Sequence, residues 1–213
     1  MKCRQLVIYL FLAMPALAGP AAAQLTTNFR DGGFAKPTPK SGSFLIIDSG
    51  ERYGNWRTVG VSGNVSYVNG AYTHDGFNFL AQGTGSAQTT NAWVNLAGIS
   101  QSATGIAHEP TITTPGTTYI LSFYVGNIYD PGGPYGTSST IAVYANSTFI
   151  GNFTNSGGQG STSENWQQFT VPIVVNDPYM VISFINADPP GDLNCGLDNV
   201  TFKPVNAPDE VTK

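Results

Sequence analysis

Cysteine is nearly missing from this sequence: Cys3 and Cys195 are the only two in 213 residues. That excludes a disulfide framework. Histidine is as scarce, with only His74 and His108. A serine hydrolase of the G-x-S-x-G kind finds no match, since "GVSGN" and "GISQS" do not fit. A zinc motif such as H-E-x-x-H is absent too, because "AHEP" offers one histidine and then a proline. The glycine-rich stretches "GTGSAQ" and "GGQGS" precede no helical pattern, so neither reads as a phosphate loop. Charge is also sparse. Only 10% of residues are charged, and nine Lys and Arg face thirteen Asp and Glu. Such a surface repels nucleic acid and anionic membranes rather than steering them in.

The single long apolar run lies at the start. Lys2 and Arg4 precede Leu6 to Ala18, and Ala21-Ala22-Ala23 before Gln24 fits an A-x-A cleavage site. This reads as a secretory signal peptide over 1–23, too short in its apolar core to span a bilayer. The tail "NAPDEVTK" carries no anchor. The expected product is residues 24–213, a single domain with its core at about 28–203. It would be secreted, extracellular or periplasmic. Loss of Lys2 and Arg4 takes the formal net charge of −4 to −6. Cys195 then has no intramolecular partner. Burial as an inert, structural thiol is the favoured reading, over an intermolecular bridge or a reactive site.

The remaining pattern is β. In "TTYILSFYVG", Tyr119, Leu121, Phe123 and Val125 share one face. In "STIAVYA", Ile141 and Val143 oppose Thr140, Ala142 and Tyr144; in "YMVISFINA", Met180, Ile182 and Phe184 oppose Tyr179, Val181, Ser183 and Ile185. Further strands are expected at 43–47, 56–61, 64–68, 77–81, 92–97, 109–113, 149–153, 166–175 and 196–203. Asn69-Gly70 reads as a two-residue hairpin turn. Pro115-Gly116, Asp130-Pro131-Gly132-Gly133, Gly157-Gly158 and Pro189-Pro190-Gly191 punctuate the rest. No helical period reaches two capped turns. The expected fold is all-β, a two-sheet antiparallel β-sandwich or jelly roll.

Aromatics carry the functional signal. Trp56, Trp93 and Trp166 sit in strand-like contexts and read as core. Tyr72, Phe77, Tyr129 and Tyr135 lie in or beside stretches rich in Asn, Asp, Gly and Ser. A ring can cover the apolar face of a sugar while amides and carboxylates take its hydroxyls. A glycosidase needs two carboxylates across a cleft, for which Asp48, Glu51 and Asp75 are the candidates. Nothing in the sequence pairs them, and an enzyme is the lesser reading. The sequons at Asn64, Asn146, Asn152 and Asn199 read as chance products of an Asn/Thr-rich chain.

Several segments in order resemble a known group: "NFRDGGF", "GISQ", "GTTYILSF" with Asn127 after it, "WQQF", and "CGLDNV". The chain resembles the galactose-binding-like jelly rolls, nearest to the cell-wall family numbered 642 among domains of unknown function. The resemblance runs from Asn28 to Lys203. It implies a β-sandwich of eight or more strands and polysaccharide or glycan as partner. It also implies a structural calcium in many members, and no other cofactor. The expected function is therefore a non-catalytic carbohydrate-binding protein of cell wall, matrix or exopolysaccharide. The alternatives are a structural or adhesive protein with a protein partner, and a glycoside hydrolase or lyase. The expected binding group is Asn127, Tyr129, Asp130 and Tyr135. In "GLDNV", Leu197 and Val200 read as core-facing. Asp198, with Asn199 beside it, reads as a hydrogen-bonding lock on the last strand or as a calcium ligand.

Overall fold

Period-two alternation decides the architecture, because a strand with one apolar face must bury it against another sheet. The computed structural model describes residues 29–35, 39–60, 64–82, 92–96, 104–128, 135–189 and 193–205. Regular structure among them is all β. The first six-stranded sheet has the order β1 (Phe44–Asp48), β4 (Asn64–Asn69), β7 (Ala92–Asn95), β16 (Gly196–Pro204), β10 (Thr118–Asn127), β13 (Asn165–Val174). The second has β12 (Thr148–Asn155), β11 (Ser139–Ala145), β15 (Ile182–Asn186), β8 (Thr104–His108), β3 (Trp56–Gly60), β2 (Arg52–Tyr53). Two small pairs complete it, β5 (Ala71–His74) with β6 (Phe77–Leu80), and β9 (Thr111–Ile112) with β14 (Tyr179–Met180).

The two large sheets share one core. Leu121, Phe123 and Val125 of β10 and Leu197 of β16 are fully buried with Ile141 and Val143 of β11 and Phe184 of β15. Trp56 is core, as expected, and so is Phe34 from the leading segment. That segment is tied in by its backbone. Val200 donates its N–H to the Gly32 carbonyl at 2.8 Å, and a Cβ at Gly32 would lie 1.7 Å from the Val200 oxygen. His108 bonds the Arg30 carbonyl at 2.9 Å, and Phe29 stacks on the His108 ring. Burial pushes the His108 imidazole down to about 4, so it is neutral.

Two differences from the sequence expectation have clear causes. The strand expected at 109–113 is instead β8 and β9, separated at Glu109-Pro110. β8 reads Thr-Gly-Ile-Ala-His, poor in the branched and aromatic residues that mark strands. Asn69-Gly70 is not a hairpin turn. β4 pairs with β1 and β7, while β5 leaves the sheet to pair with β6. Asn69 is buried and fixes that corner: its side chain accepts from Ala71 N–H (3.1 Å) and Gly42 N–H (3.3 Å) and donates to the Pro39 carbonyl (3.2 Å). A two-residue hairpin turn falls instead at Asp75-Gly76, with φ of 49° and 83° and His74 paired to Phe77.

Candidate functional site

Asn127 ends β10 fully buried. Its amide donates to Ser139 Oγ at 3.1 Å, and its oxygen accepts the Gly158 N–H at 3.2 Å. Asn155 does the same work nearby, donating to the Val125 and Asn165 carbonyls and accepting from Gly157. Through the Gly157 and Gly158 N–H groups these amides tie a loop to the ends of β10 and β13. The structure therefore removes Asn127 from a ligand-facing role. Tyr129 and Asp130 lie outside the described residues. Tyr135 packs its ring edge-on against Phe77 and Phe79, with centroids 4.9 and 5.0 Å away, and its hydroxyl meets His74 Nδ1 at 3.4 Å. It belongs to a second apolar cluster with Val68, Phe79, Ala81, Ile128, Tyr72, Phe77 and Trp166. Asp48 ends β1, Glu51 sits on the turn before β2, and Asp75 on the tip of the β5–β6 hairpin.

Asp198 and Asn199 form a β-bulge. Opposite Phe123 of β10, β16 presents both Asn199 and Val200, and Asn199 takes a left-handed φ of 47°. The extra residue flips the alternation, so Leu197, Val200 and Phe202 all face the core. Asp198 is 1% exposed, and both its oxygens accept backbone N–H groups: Gln82 at 3.0 Å and Asn199 at 2.7 Å. Asn199 donates its amide to Gln82 Oε1. Burial pushes the Asp198 carboxyl up to about 8, against the pull of its two donors. This geometry is a lock between the last strand and the Ala81-Gln82 segment. Among the described residues no three His, Cys, Asp or Glu side chains converge as metal ligands. Cys195 is fully buried, its Sγ 3.4 Å from the Thr140 carbonyl, and burial raises its thiol, with Asp188 and Glu164 adding to the effect. Glu164 is raised by burial as well, and its Oε2 is buried without a hydrogen bond.

A different surface has the shape of a site. On the second sheet the inward residues are Ile141, Val143, Ile182, Phe184 and Ile106. The outward residues therefore line up across strands by register. One row runs Tyr144, Ser183, Ala107, Arg57; the next runs Ala142, Ile185, Gly105, Val59. Ser183 and Ala107 in the first row and Gly105 in the second keep the face low beside an open trough of about 580 Å³, lined by Val59, Tyr144, Asn146, Ser147, Val181, Ser183 and Ile185. That volume is in the range of ligand pockets. Gly105 is required there, since a Cβ would lie 2.0 Å from the Phe184 carbonyl and 2.7 Å from Ile185 Cδ1.

The trough is held rigidly at its end. Asn146 and Ser147 make the β11–β12 turn with φ of 44° and 68°. Asn146 accepts the Val181 N–H at 2.8 Å and donates to the Tyr179 carbonyl and Asp177 Oδ2, both at 3.1 Å. A bulge between Val143 and Tyr144 sets Tyr144 opposite Phe149, their rings 5.5 Å apart. Among the described residues no hydrogen bond engages the hydroxyls of Tyr144, Ser147 or Ser183, all of which line the trough. Sequence reasoning missed this surface. Its signal was the alternation itself: small residues at every second position of β8, facing out.

No family model matches the chain, and no curated protein matches it. Solved structures do. A cyclase from Fischerella sp. TAU is 17% identical, covering 84% of this chain and 96% of that one, with a TM-score of 0.56. A family 35 carbohydrate-binding module from an environmental isolate is 18% identical over 77% of this chain and 99% of that one, with a TM-score of 0.43. A xylan-binding domain of family 22 is 14% identical over 80% and 99%, with a TM-score of 0.45. The likeness to the cyclase is one of fold alone.

Proposed function

We propose that this chain is a non-catalytic carbohydrate-binding β-sandwich whose ligand lies in the trough across β11, β15, β8 and β3. The carrying observation is the trough's chemistry. Its lining joins aliphatic side chains, one tyrosine ring and unengaged hydroxyls, with no carboxylate or histidine among the lining residues. An apolar floor with hydroxyl partners suits the two faces of a sugar. A glycosidase or lyase needs an acid and a base at the bond it breaks, and this lining supplies neither. Export and a place in a cell wall, matrix or exopolysaccharide, as the family 642 resemblance implies, are part of the same proposal.

Stacking half of an aromatic side chain of ~150–250 Å² at ~25 cal/mol/Å² contributes about 2–3 kcal/mol before association costs. One such ring with a few hydrogen bonds gives a Kd of roughly micromolar to millimolar. Isothermal calorimetry against a polysaccharide panel should detect binding in that range. Tyr144→Ala should weaken it about tenfold or more, with the melting temperature held. Binding indifferent to Tyr144→Ala would remove the ligand from the trough. A second reading, an adhesive protein with a protein partner, is favoured by one feature: the edge strand β1 exposes Phe44, Leu45 and Ile46 in a row. Silence across the glycan panel at millimolar concentration would leave that reading in place.

A further inference from the structure

Arginine ends the row that Tyr144 begins. Arg57 pairs in register with Ala107, Ala107 with Ser183, and Ser183 with Tyr144. Three strand spacings of ~4.8 Å put Arg57 about 14 Å from Tyr144, outside the lining of the trough, whose residue on the same strand is Val59. Arg57 is exposed, and no carboxylate lies within ion-pair distance of it among the described residues. Its direct cross-strand neighbour on β2 is a second cation, Arg52. Like charges directly opposite one another destabilise a sheet. Here the pair is relieved on one side only: Arg52 bonds Glu109, whose side chain is 6% exposed. Glu109 thus discharges Arg52 and leaves Arg57 as the uncompensated cation of that face. In a chain with nine basic residues, a sheet position that sets two of them side by side is a costly arrangement to keep.

We infer that the trough takes an acidic saccharide, a uronic-acid sugar whose carboxylate meets the Arg57 guanidinium while a sugar ring covers Tyr144. The inference rests on the trough reading above and adds the substrate class. The guanidinium is a planar fork that matches a carboxylate with two parallel N–H donors, which a neutral hydroxymethyl cannot reproduce. Ser183 and Ala107, between Tyr144 and Arg57 in the row, are short enough to let a sugar pass over them. The formal net charge, −4 for the whole sequence and −6 without residues 1–23, does not forbid an anionic ligand. Beyond the Debye length of ~8 Å at physiological salt that field is screened, and the contact with Arg57 lies inside it.

The test uses oligogalacturonate and glucuronoxylan oligosaccharides, each beside its carboxyl-reduced counterpart of identical linkage, titrated into the wild-type chain. At low salt at least one acid form should bind about 2–5-fold tighter than its reduced form, the range for one exposed ion pair. The preference should shrink at 0.5 M salt. Arg57→Gln should abolish the preference; Arg57→Lys should keep part of it. Tyr144→Ala should weaken both forms. Equal affinity for acid and reduced forms, or a preference that survives Arg57→Gln, overturns the assignment of acidic sugar and leaves the trough reading intact. No binding by any form, or binding blind to Tyr144→Ala, overturns both.

Discussion

The outer faces of the two sheets have opposite fates. On the first sheet, Val68 and Trp166 point away from the main core and meet a lid, the β5–β6 hairpin with its Phe79 and Ala81. Trp166 donates its indole N–H to the Leu80 carbonyl at 2.9 Å, and Glu164 and Asn78 join hairpin to sheet through their backbones. Aromatic side chains there are used up in sealing. On the second sheet, Gly105, Ala107 and Ser183 keep the surface low, and Tyr144 stands beside an open trough. An aromatic residue near a loop is therefore a poor marker of a site by itself. What distinguishes Tyr144 from Tyr135 is its neighbours: small, flat and outward against large, apolar and closing.

That contrast predicts unequal costs. Phe79→Ala, which removes the lid's buried ring, should destabilise by about 3–4 kcal/mol, whereas Tyr144→Ala should stay within about 0.5 kcal/mol. Urea melts of both variants measure it, and comparable losses would erase the distinction between sealed and open faces. Next in size, Asp198→Ala should cost about 1–3 kcal/mol, because the Gln82 and Asn199 N–H groups lose their acceptor. Since those donors occupy both carboxylate oxygens, chelation should leave the melting temperature of wild type unchanged. A drop on chelation that vanishes in Asp198→Ala would turn the lock into a cation site.

A smaller effect concerns pH. Folding raises Asp198 from 3.8 to about 8 and Asp188 from 3.8 to about 6. Each contributes stability that is full below the unfolded value and is lost as pH rises through the folded one. His108 has the opposite sign: lowered from 6.5 to about 4, it contributes stability present above 6.5 and lost as pH falls through 4. The two trends offset one another in the acid range. Between pH 6.5 and 8 Asp198 still titrates, and Glu164, also raised, acts in the same direction. Stability should fall there by about 1–2 kcal/mol, a slope of at most ~1.4 kcal/mol per pH unit for each proton held. Asp198→Asn should flatten it, and Glu164→Gln should remove any remainder. A rise in stability over that window would contradict the burial of these acids. Smallest of all, Cys195 should resist thiol reagents in the native state and react on unfolding; fast native labelling would place it at the surface.

Much of the fold was legible in the sequence. Tyr119, Leu121, Phe123 and Val125 alternate without interruption, and all are buried on one face. Leu197 and Val200 were readable as core even though they stand three apart, a spacing that only the bulge at Asn199 explains. The failures share a cause. Asn69-Gly70 has the composition of a hairpin turn, but the long-range bonds of Asn69 to Pro39 and Gly42 decide its conformation, and local sequence carries no trace of them. Asn127 looked like a ligand group because an Asn beside loop tyrosines can serve a sugar; burial under the Gly158 loop set its role. The trough depends on which strands neighbour one another, β11, β15, β8 and β3, in an order that jumps across the chain. Residues from 59 to 185 meet there, and periodicity within one strand cannot say so.

The central claim is that the open face, not the sealed one, is the binding surface. Backbone amide chemical shifts of labelled protein, followed while an oligosaccharide that binds is added, test it most directly. The account predicts saturable shifts at Tyr144, Ser147, Val181, Ser183, Ala107 and Val59, with Phe77, Phe79 and Tyr135 unmoved. Shifts concentrated on the β5–β6 hairpin and Tyr135, with the second sheet silent, would contradict it.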